Sequence, residues 1–344
     1  MSAAVEYVAD GLDPAALTKF FDDRVAGFRG GLSAELMQGG RSNLTYRLTD
    51  GHTSWVLRRP PPGALTPSAH DMRREYRVVS ALTGSGVPVA RPVAFGDESV
   101  MGVPFSVVEH VEGMVIHTLE QLNRLPQESI TECGYTLVDV LASLHAIDPD
   151  AVGLTGFGRP EGYLSRQIER GYDQWGRVRT RRLPDIEALS GRLAVACPPE
   201  SGASIVHGDF RIDNAIVSPD DPTDVRALVD WEMATLGDPL ADLGLHLAYA
   251  DPAFAPVLAG SAASTSNRLP APSQLADRYA SVSGRDLGNL DFYLSLGYFK
   301  IAVIAEGIHA RHRRGLTLGS GFDTVGQAVA PLAAAGLRAP GSSV

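Results

Sequence analysis

Asp209, Asn214 and Asp230 fall in two segments that each follow an apolar run, and their types and spacing suit phosphoryl transfer. The first two lie in Ile205-Val206-His207-Gly208-Asp209-Phe210-Arg211-Ile212-Asp213-Asn214, the third in Leu228-Val229-Asp230-Trp231-Glu232. Such a reaction needs a group to take the proton of an incoming hydroxyl, hard oxygen ligands for Mg2+, and cations on the phosphates. Asp209 can accept the proton, while Asn214 and Asp230 carry oxygens of the kind Mg2+ prefers. Arg211 has two readings. Pointing inward it stabilises charge on the transferring group; pointing outward it pairs with Asp213 or a neighbour. An accidental polar turn between core strands is the bland alternative.

The order His207-x-Asp209-x-x-x-x-Asn214, then Asp230-Trp231-Glu232, then Gly237-Asp238-Pro239-Leu240-Ala241-Asp242-Leu243 resembles the aminoglycoside phosphotransferase and choline kinase superfamily. That superfamily shares the protein-kinase-like fold, whose own motif has Asn five residues after the catalytic Asp. The resemblance runs over most of the chain, from about residue 32 to 247 and more loosely to 315. It implies that Asp209 is the catalytic base, that Asn214 and Asp230 hold magnesium, and that Asp242 braces the catalytic loop from a following helix. It also implies ATP and Mg2+ as cofactors and a hydroxylated small molecule as acceptor. Arg211 stands where protein serine/threonine kinases place a phosphate-neutralising lysine. His145 matches a histidine common at this helix end in the family, with a structural role.

Upstream pieces fit the same scheme. Residues 38–46, Gln-Gly-Gly-Arg-Ser-Asn-Leu-Thr-Tyr, form a glycine-rich stretch between two strand candidates. Gly40 lets backbone amides approach phosphates there, and Ser42, Asn43 and Thr45 add side-chain donors. In Trp55-Val56-Leu57-Arg58, strand alternation puts Val56 and Arg58 on one face. Val56 would roof the adenine, Arg58 would reach the phosphates, and Arg59 would point outward. Kinases carry lysine at the Arg58 position, and arginine keeps the permanent charge in a forked form. Glu75, on a helix with Arg73, Arg74 and Arg77, is the natural ion-pair partner of Arg58; a solvated helix face is the plain alternative. Glu109 and Val111 are candidates by position for backbone contacts to adenine.

These residues need an α+β framework. An opening helix is expected near 13–26, then strands near 34–38, 45–48, 54–58, 91–95 and 104–109, interrupted by a helix over 68–82 with Met72, Tyr76, Val79 and Leu82 inward. After residue 113 helical patterns dominate: 128–145, 161–177, 185–195, 239–249, 272–282 and 290–311, with a strand–loop–strand unit over 204–230. Residues 252–272, rich in Ala, Ser and Pro, read as a long loop. The expectation is a protein-kinase-like bilobal fold: a small β-rich nucleotide-binding lobe with one main helix over 1–108, a hinge at 109–113, and a larger, mostly helical catalytic and substrate-binding lobe over 114–344.

Composition narrows the partners. With 344 residues, 44% of them hydrophobic and 20% charged, there is material for a sizeable core. The net charge of −10 argues against a broad phosphate-backbone binder, so no nucleic-acid partner is expected. Two cysteines, Cys133 and Cys197, cannot make a disulfide framework or a four-ligand zinc site. Residues 1–10 carry Glu6 and Asp10 without an apolar core, and Lys300 and Glu306 interrupt the most apolar stretch, 292–308. No signal peptide, no membrane partner and a cytoplasmic location are expected. His309 and His312 sit in a basic helix end with Arg311, Arg313 and Arg314, which suits capping better than metal binding.

The acceptor is less defined. From His246 onward there are eight Lys/Arg against six Asp/Glu, a balance unlike a site for polycationic aminoglycosides. Val56-Leu57-Arg58-Arg59-Pro60-Pro61-Pro62-Gly63, with the His207–Asn214 motif, resembles a subgroup found fused to acyl-CoA dehydrogenases. That resemblance implies a hydroxyacyl compound or its CoA ester. A catalytically inactive nucleotide-binding pseudokinase module and an aminoglycoside kinase are the alternatives. A protein kinase ranks below these, since the chain runs from Asp230 to Gly237-Asp238-Pro239 without an activation segment.

Overall fold

The structure, a computed structural model, describes residues 11–37, 43–61, 71–258, 260–317 and 321–339. Two compact units divide the chain: Met1–Glu112 with Arg226–Ala234, and Gly113–Val225 with Thr235–Val344.

The first unit begins with α1 (Pro14–Arg24), whose start is set by Asp13 accepting the Ala15 and Ala16 N–H groups. Strands β1 (Ser33–Leu36), β2 (Leu44–Thr49) and β3 (Ser54–Arg59) follow, then α2 (Met72–Leu82), β4 (Pro92–Gly96), the short α3 (Glu98–Met101) and β5 (Phe105–Glu109). The five strands form one antiparallel sheet in the order β1-β2-β3-β5-β4. One face of that sheet packs on α1: Phe21 meets Trp55 edge-on at 5.2 Å, and Phe20 meets Phe105 at 5.0 Å. Leu17, Tyr46, Leu48, Leu57 and Val107 complete this core.

Covering by α1 corrects the expectation for Arg59. Alternation along β3 holds, with Trp55, Leu57 and Arg59 on one face and Val56 and Arg58 on the other. The face expected to look outward lies under α1, so Arg59 is buried. On α2 the inward stripe is Met72, Glu75, Val78, Val79 and Leu82, and Tyr76 lies half-buried against Phe95 at 5.7 Å.

The second unit opens with β6 (Met114–Val115), α4 (Leu119–Asn123), α5 (Gln127–Ala146), α6 (Tyr163–Val178) and α7 (Pro184–Val195), then β7 (Ser204–Val206) and β8 (Ala215–Val217). Strand β9 (Val225–Leu228) leads back to the first unit. There the Leu228 N–H bonds the Pro88 carbonyl at 2.8 Å and Arg74 bonds the Ala234 carbonyl at 3.1 and 3.2 Å. These bonds are the reason residues 226–234, expected with the catalytic lobe, group with the sheet. The chain continues through β10 (Thr235–Gly237), α8 (Pro239–Ala248), α9 (Ala255–Leu258), α10 (Pro272–Ser283), α11 (Leu290–Arg313) and α12 (Val325–Arg338). β10 pairs with β7 and β6 with β8, both antiparallel.

Helix α11 is central to the second unit and packs on α6, α7, α8 and α12. Gly244 of α8 lets the helices approach closely: a Cβ there would lie 2.6 Å from the Tyr293 backbone. Residues 252–272 are not the structureless loop expected. They hold 3-10 turns at Pro252–Phe254 and Ala263–Thr265 besides α9, and Arg268 ties them to the Leu125 carbonyl at 2.9 Å and to Gln127 at 3.1 Å. Among the described residues no helix is long and apolar enough to cross a membrane.

Candidate active site

Asp209 sits in the loop between β7 and β8, after Gly208, whose φ of 85° turns the chain. The loop is braced from α8. Asp242 accepts the His207 N–H at 2.5 Å and the Gly208 N–H at 2.7 Å, as expected for that position. Burial pushes the Asp242 carboxyl up, but the His145 ring and the Gly208 N–H outweigh it and leave it below its ordinary value. Burial lowers the His145 imidazole, so a neutral ring lies between two partners, Asp242 at 3.4 Å and the Tyr279 hydroxyl at 2.7 Å. Those partners assign Nε2–H to Asp242 and leave Nδ1 to accept from Tyr279.

Around Asp209 itself the loop closes a small network. Asn214, in the 3-10 turn Ile212–Asn214, donates through Nδ2 to the Asp209 carbonyl at 2.8 Å and to Oδ2 at 3.2 Å. Arg211 Nε approaches Oδ2 at 3.3 Å, and its Nη1 bonds Asp213. Arg211 thus lies beside Asp209 and pairs with Asp213. The Tyr249 hydroxyl donates to Oδ1. Burial raises the Asp209 carboxyl, but Arg211 and Tyr249 prevail and hold it below the usual range. Its side chain is 21% exposed.

Two residues of this network carry no motif signal. Tyr249 stands just past α8, and Lys300 of α11 donates to the Gly208 carbonyl at 2.7 Å. Burial lowers the Lys300 ammonium against the pull of Asp209 and Asp242. Lys300 was visible only as a charge inside an apolar stretch. The other interruption, Glu306, is fully buried and accepts the Thr180 N–H and hydroxyl, each at 2.7 Å.

The first unit carries its own cluster. Arg58 Nη1 bonds Glu75 at 2.7 Å, the pairing expected between β3 and α2, and Nη2 bonds Asp230 Oδ1 at 2.9 Å. The forked guanidinium spans both carboxylates. Burial alone would lower Arg58, but Glu75 and Asp230 raise it; burial raises the Glu75 carboxyl more than Arg58 lowers it. Asp230 adopts φ 67°, the one positive φ at a non-glycine among the described residues. Such outliers concentrate at functional sites.

The remaining nucleotide-side candidates fall unevenly. Gly40 and Ser42 lie outside the described residues. Asn43 is buried and donates through Nδ2 to Glu232 at 3.2 Å. Thr45 faces Arg58 across the β2–β3 pair. Val56 is half-buried on the Arg58 face. Glu109 pairs with Arg91, and its N–H donates to the Arg91 carbonyl at 2.9 Å; Val111 follows, half-buried. His309 packs against Gly326 and His312 bonds Thr317 at 3.0 Å, and no cluster of metal-ligating side chains occurs among the described residues. Burial pushes the Cys133 thiol up to about 12, an inert side chain.

Comparison with known proteins places this geometry. The phosphotransferase enzyme family model (APH) matches residues 33–276. Acyl-CoA dehydrogenase family member 11 of Homo sapiens is 33% identical over 335 residues, covering 95% of this chain and 43% of that protein. The chain thus spans less than half the length of this curated relative. A Ralstonia eutropha protein provisionally described as an aminoglycoside phosphotransferase superposes with a TM-score of 0.81 at 33% identity, covering 95% of this chain and 98% of its own. Spectinomycin phosphotransferase, solved with ADP and its antibiotic, shares the fold at a TM-score of 0.61 and 11% identity, covering 95% of this chain and 98% of its own. The α+β, kinase-like architecture agrees with these structures, its antiparallel sheet N-terminal and its helical region C-terminal. With its Asp209 loop and its Asp242 brace in place, the chain belongs to the phosphotransferase enzyme family.

Proposed function

We propose that this chain moves the γ-phosphoryl group of ATP, as its magnesium complex, to the hydroxyl of a small molecule, and that the acceptor is a hydroxyacyl compound or its CoA ester. Asp209 takes the hydroxyl proton as the new O–P bond forms. The bond from the γ-phosphorus to the β,γ-bridging oxygen breaks, and ADP leaves with that electron pair. Arg211 offsets charge on the transferring group, and Arg58, oriented by Glu75, does so on the phosphates behind it. Gly40, Ser42 and Thr45 line the phosphates, while Val56 and the backbone at Glu109 and Val111 hold adenine.

Asn214 and Asp230 are the magnesium ligands in this reading. The Asn214 amide nitrogen is spent on Asp209, which leaves its carbonyl oxygen for a cation; Asp230 keeps Oδ2 beside the Oδ1 taken by Arg58. Such a donor set fits Mg2+, which keeps several waters and takes few protein oxygens. When bound, the ion neutralises charge on the phosphate oxygens.

What supports transfer most is the cage about Asp209, a carboxylate held ionised, with Asn214 on the same side chain. An acyl acceptor is supported by the name of the relatives, acyl-CoA dehydrogenase, and by the exposed cations Arg311, Arg313 and Arg314 at the end of α11, which suit CoA phosphates.

Purified protein and its Asp209→Asn variant, given γ-labelled ATP with hydroxyacyl compounds, their CoA esters and aminoglycosides in parallel, test this. Label on a hydroxyacyl acceptor from the wild type alone is the expected result. Label on an aminoglycoside instead would overturn the acceptor. Tight Mg·ATP binding with no transfer to any of them would leave a nucleotide-binding module.

A further inference from the structure

A carboxylate has about four lone-pair directions, and three at Asp209 are occupied. Oδ2 faces two donors, Arg211 Nε at 3.3 Å and Asn214 Nδ2 at 3.2 Å. Oδ1 faces one, the Tyr249 hydroxyl. A base about to take a proton needs a free lone pair, and the count leaves it on Oδ1. The oxygen that receives the acceptor's proton is therefore the one whose place Tyr249 sets.

Tyr249 is itself held on every side. Its N–H bonds the Leu245 carbonyl at 3.2 Å, closing α8. Its ring stands edge-on to Phe254 at 5.0 Å, and Phe254 leans on Tyr298 at 5.5 Å, whose hydroxyl bonds Asp251 at 3.0 Å. The Arg211 guanidinium lies over the ring at 5.6 Å, and only 3% of Tyr249 is exposed. One side chain thus touches two charged groups of the loop: it donates to Asp209 and supports the cation of Arg211 through its π face.

Resting on the phosphotransfer reading above, we infer that Tyr249 is a positioning residue of the reaction, fixing Oδ1 of Asp209 so that its one open lone pair is left to the acceptor hydroxyl. Nothing in the catalytic motif marks it, since it lies 40 residues beyond Asp209. Rigid packing makes it a fixed support and not a group that yields to the acceptor.

Tyr249→Phe keeps the ring beneath Arg211 and removes only the donor. Turnover of Mg·ATP would be followed with water as acceptor and with a panel of hydroxyacyl-CoA esters. The expected kcat is about tenfold to a hundredfold below wild type, the range for loss of a hydrogen bond to a charged group, with KM for Mg·ATP held. In an Asp209→Asn background the same change should have little further effect, because Tyr249 acts through Asp209. A kcat within twofold of wild type, or an equal loss in both backgrounds, would overturn the inference. Crystals of the Tyr249→Phe protein give a readout independent of turnover: the Asp209 carboxylate should rotate from its place, and an unmoved carboxylate overturns the positioning role. Wild-type protein that never turns over Mg·ATP, together with a rotated carboxylate in the variant, would instead sink the phosphotransfer reading.

Discussion

Asp242 Oδ1 accepts the Gly208 N–H at 2.7 Å, tying the first turn of α8 to the residue before Asp209. With Oδ2 on the His207 N–H, one buried carboxylate accepts two successive backbone donors at the tight turn of Gly208. Asp242→Asn keeps the shape but offers one acceptor oxygen, and turns an N–H2 toward an N–H. We expect a loss of about 2–3 kcal/mol in urea unfolding, with kcat falling as the loop loosens. Unchanged unfolding would show that water replaces the carboxylate.

Asp209→Asn is the cleanest test of the base. The amide is nearly isosteric but cannot take the acceptor's proton, so kcat should fall by roughly 10^2–10^4. Mg·ATP affinity, measured by calorimetry, should stay near wild type. Normal turnover would remove Asp209 from the chemistry.

Arg58 bridges Glu75 and Asp230, at 2.7 and 2.9 Å, and Glu75 lies 7% exposed. Arg58→Ala leaves that carboxylate buried and uncompensated, which should cost about 3–5 kcal/mol. Arg58→Lys should cost less in stability yet raise KM for Mg·ATP, because a point charge cannot span both partners. Equal unfolding midpoints for wild type and Arg58→Ala would refute the pairing.

The His246 imidazole, with Nδ1 on the Phe210 carbonyl at 3.2 Å, is lowered by burial to about 4. Its value in the unfolded chain is about 6.5, so between these limits the unfolded state binds more protons. This contribution is complete above about pH 6.5 and is lost as pH falls toward 4. From pH 7.5 to 5.5 it removes ~1 kcal/mol. His246→Gln should flatten the pH dependence of the unfolding free energy by about that amount, read from urea titrations at both pH values. Parallel pH profiles for the two proteins would show that His246 keeps its ordinary value.

The residues themselves determined the elements and the loop chemistry. Strands β1–β5 and helices α5, α6, α7, α8, α10 and α11 were legible within a few residues because period-2 and period-3.6 patterns are local. The Asp242 brace was legible only through the family resemblance of the segment Gly237–Leu243, whose spacing from the loop is kept. Helix α12 was missed, since Ala, Gly and the internal Pro331 blur its stripe, though Leu332 and Val329 are fully buried.

Only the tertiary structure decided which distant groups meet. Arg59 is buried because α1 covers the face of β3 that it shares with Trp55 and Leu57. Asn43 is turned to Glu232, 189 residues away, and Tyr249 and Lys300 reach the Asp209 loop from α8 and α11. A side chain's periodicity reports whether it is inward, but not which groups wait there; that depends on helices packed close enough, as at Gly244, for their side chains to reach the loop.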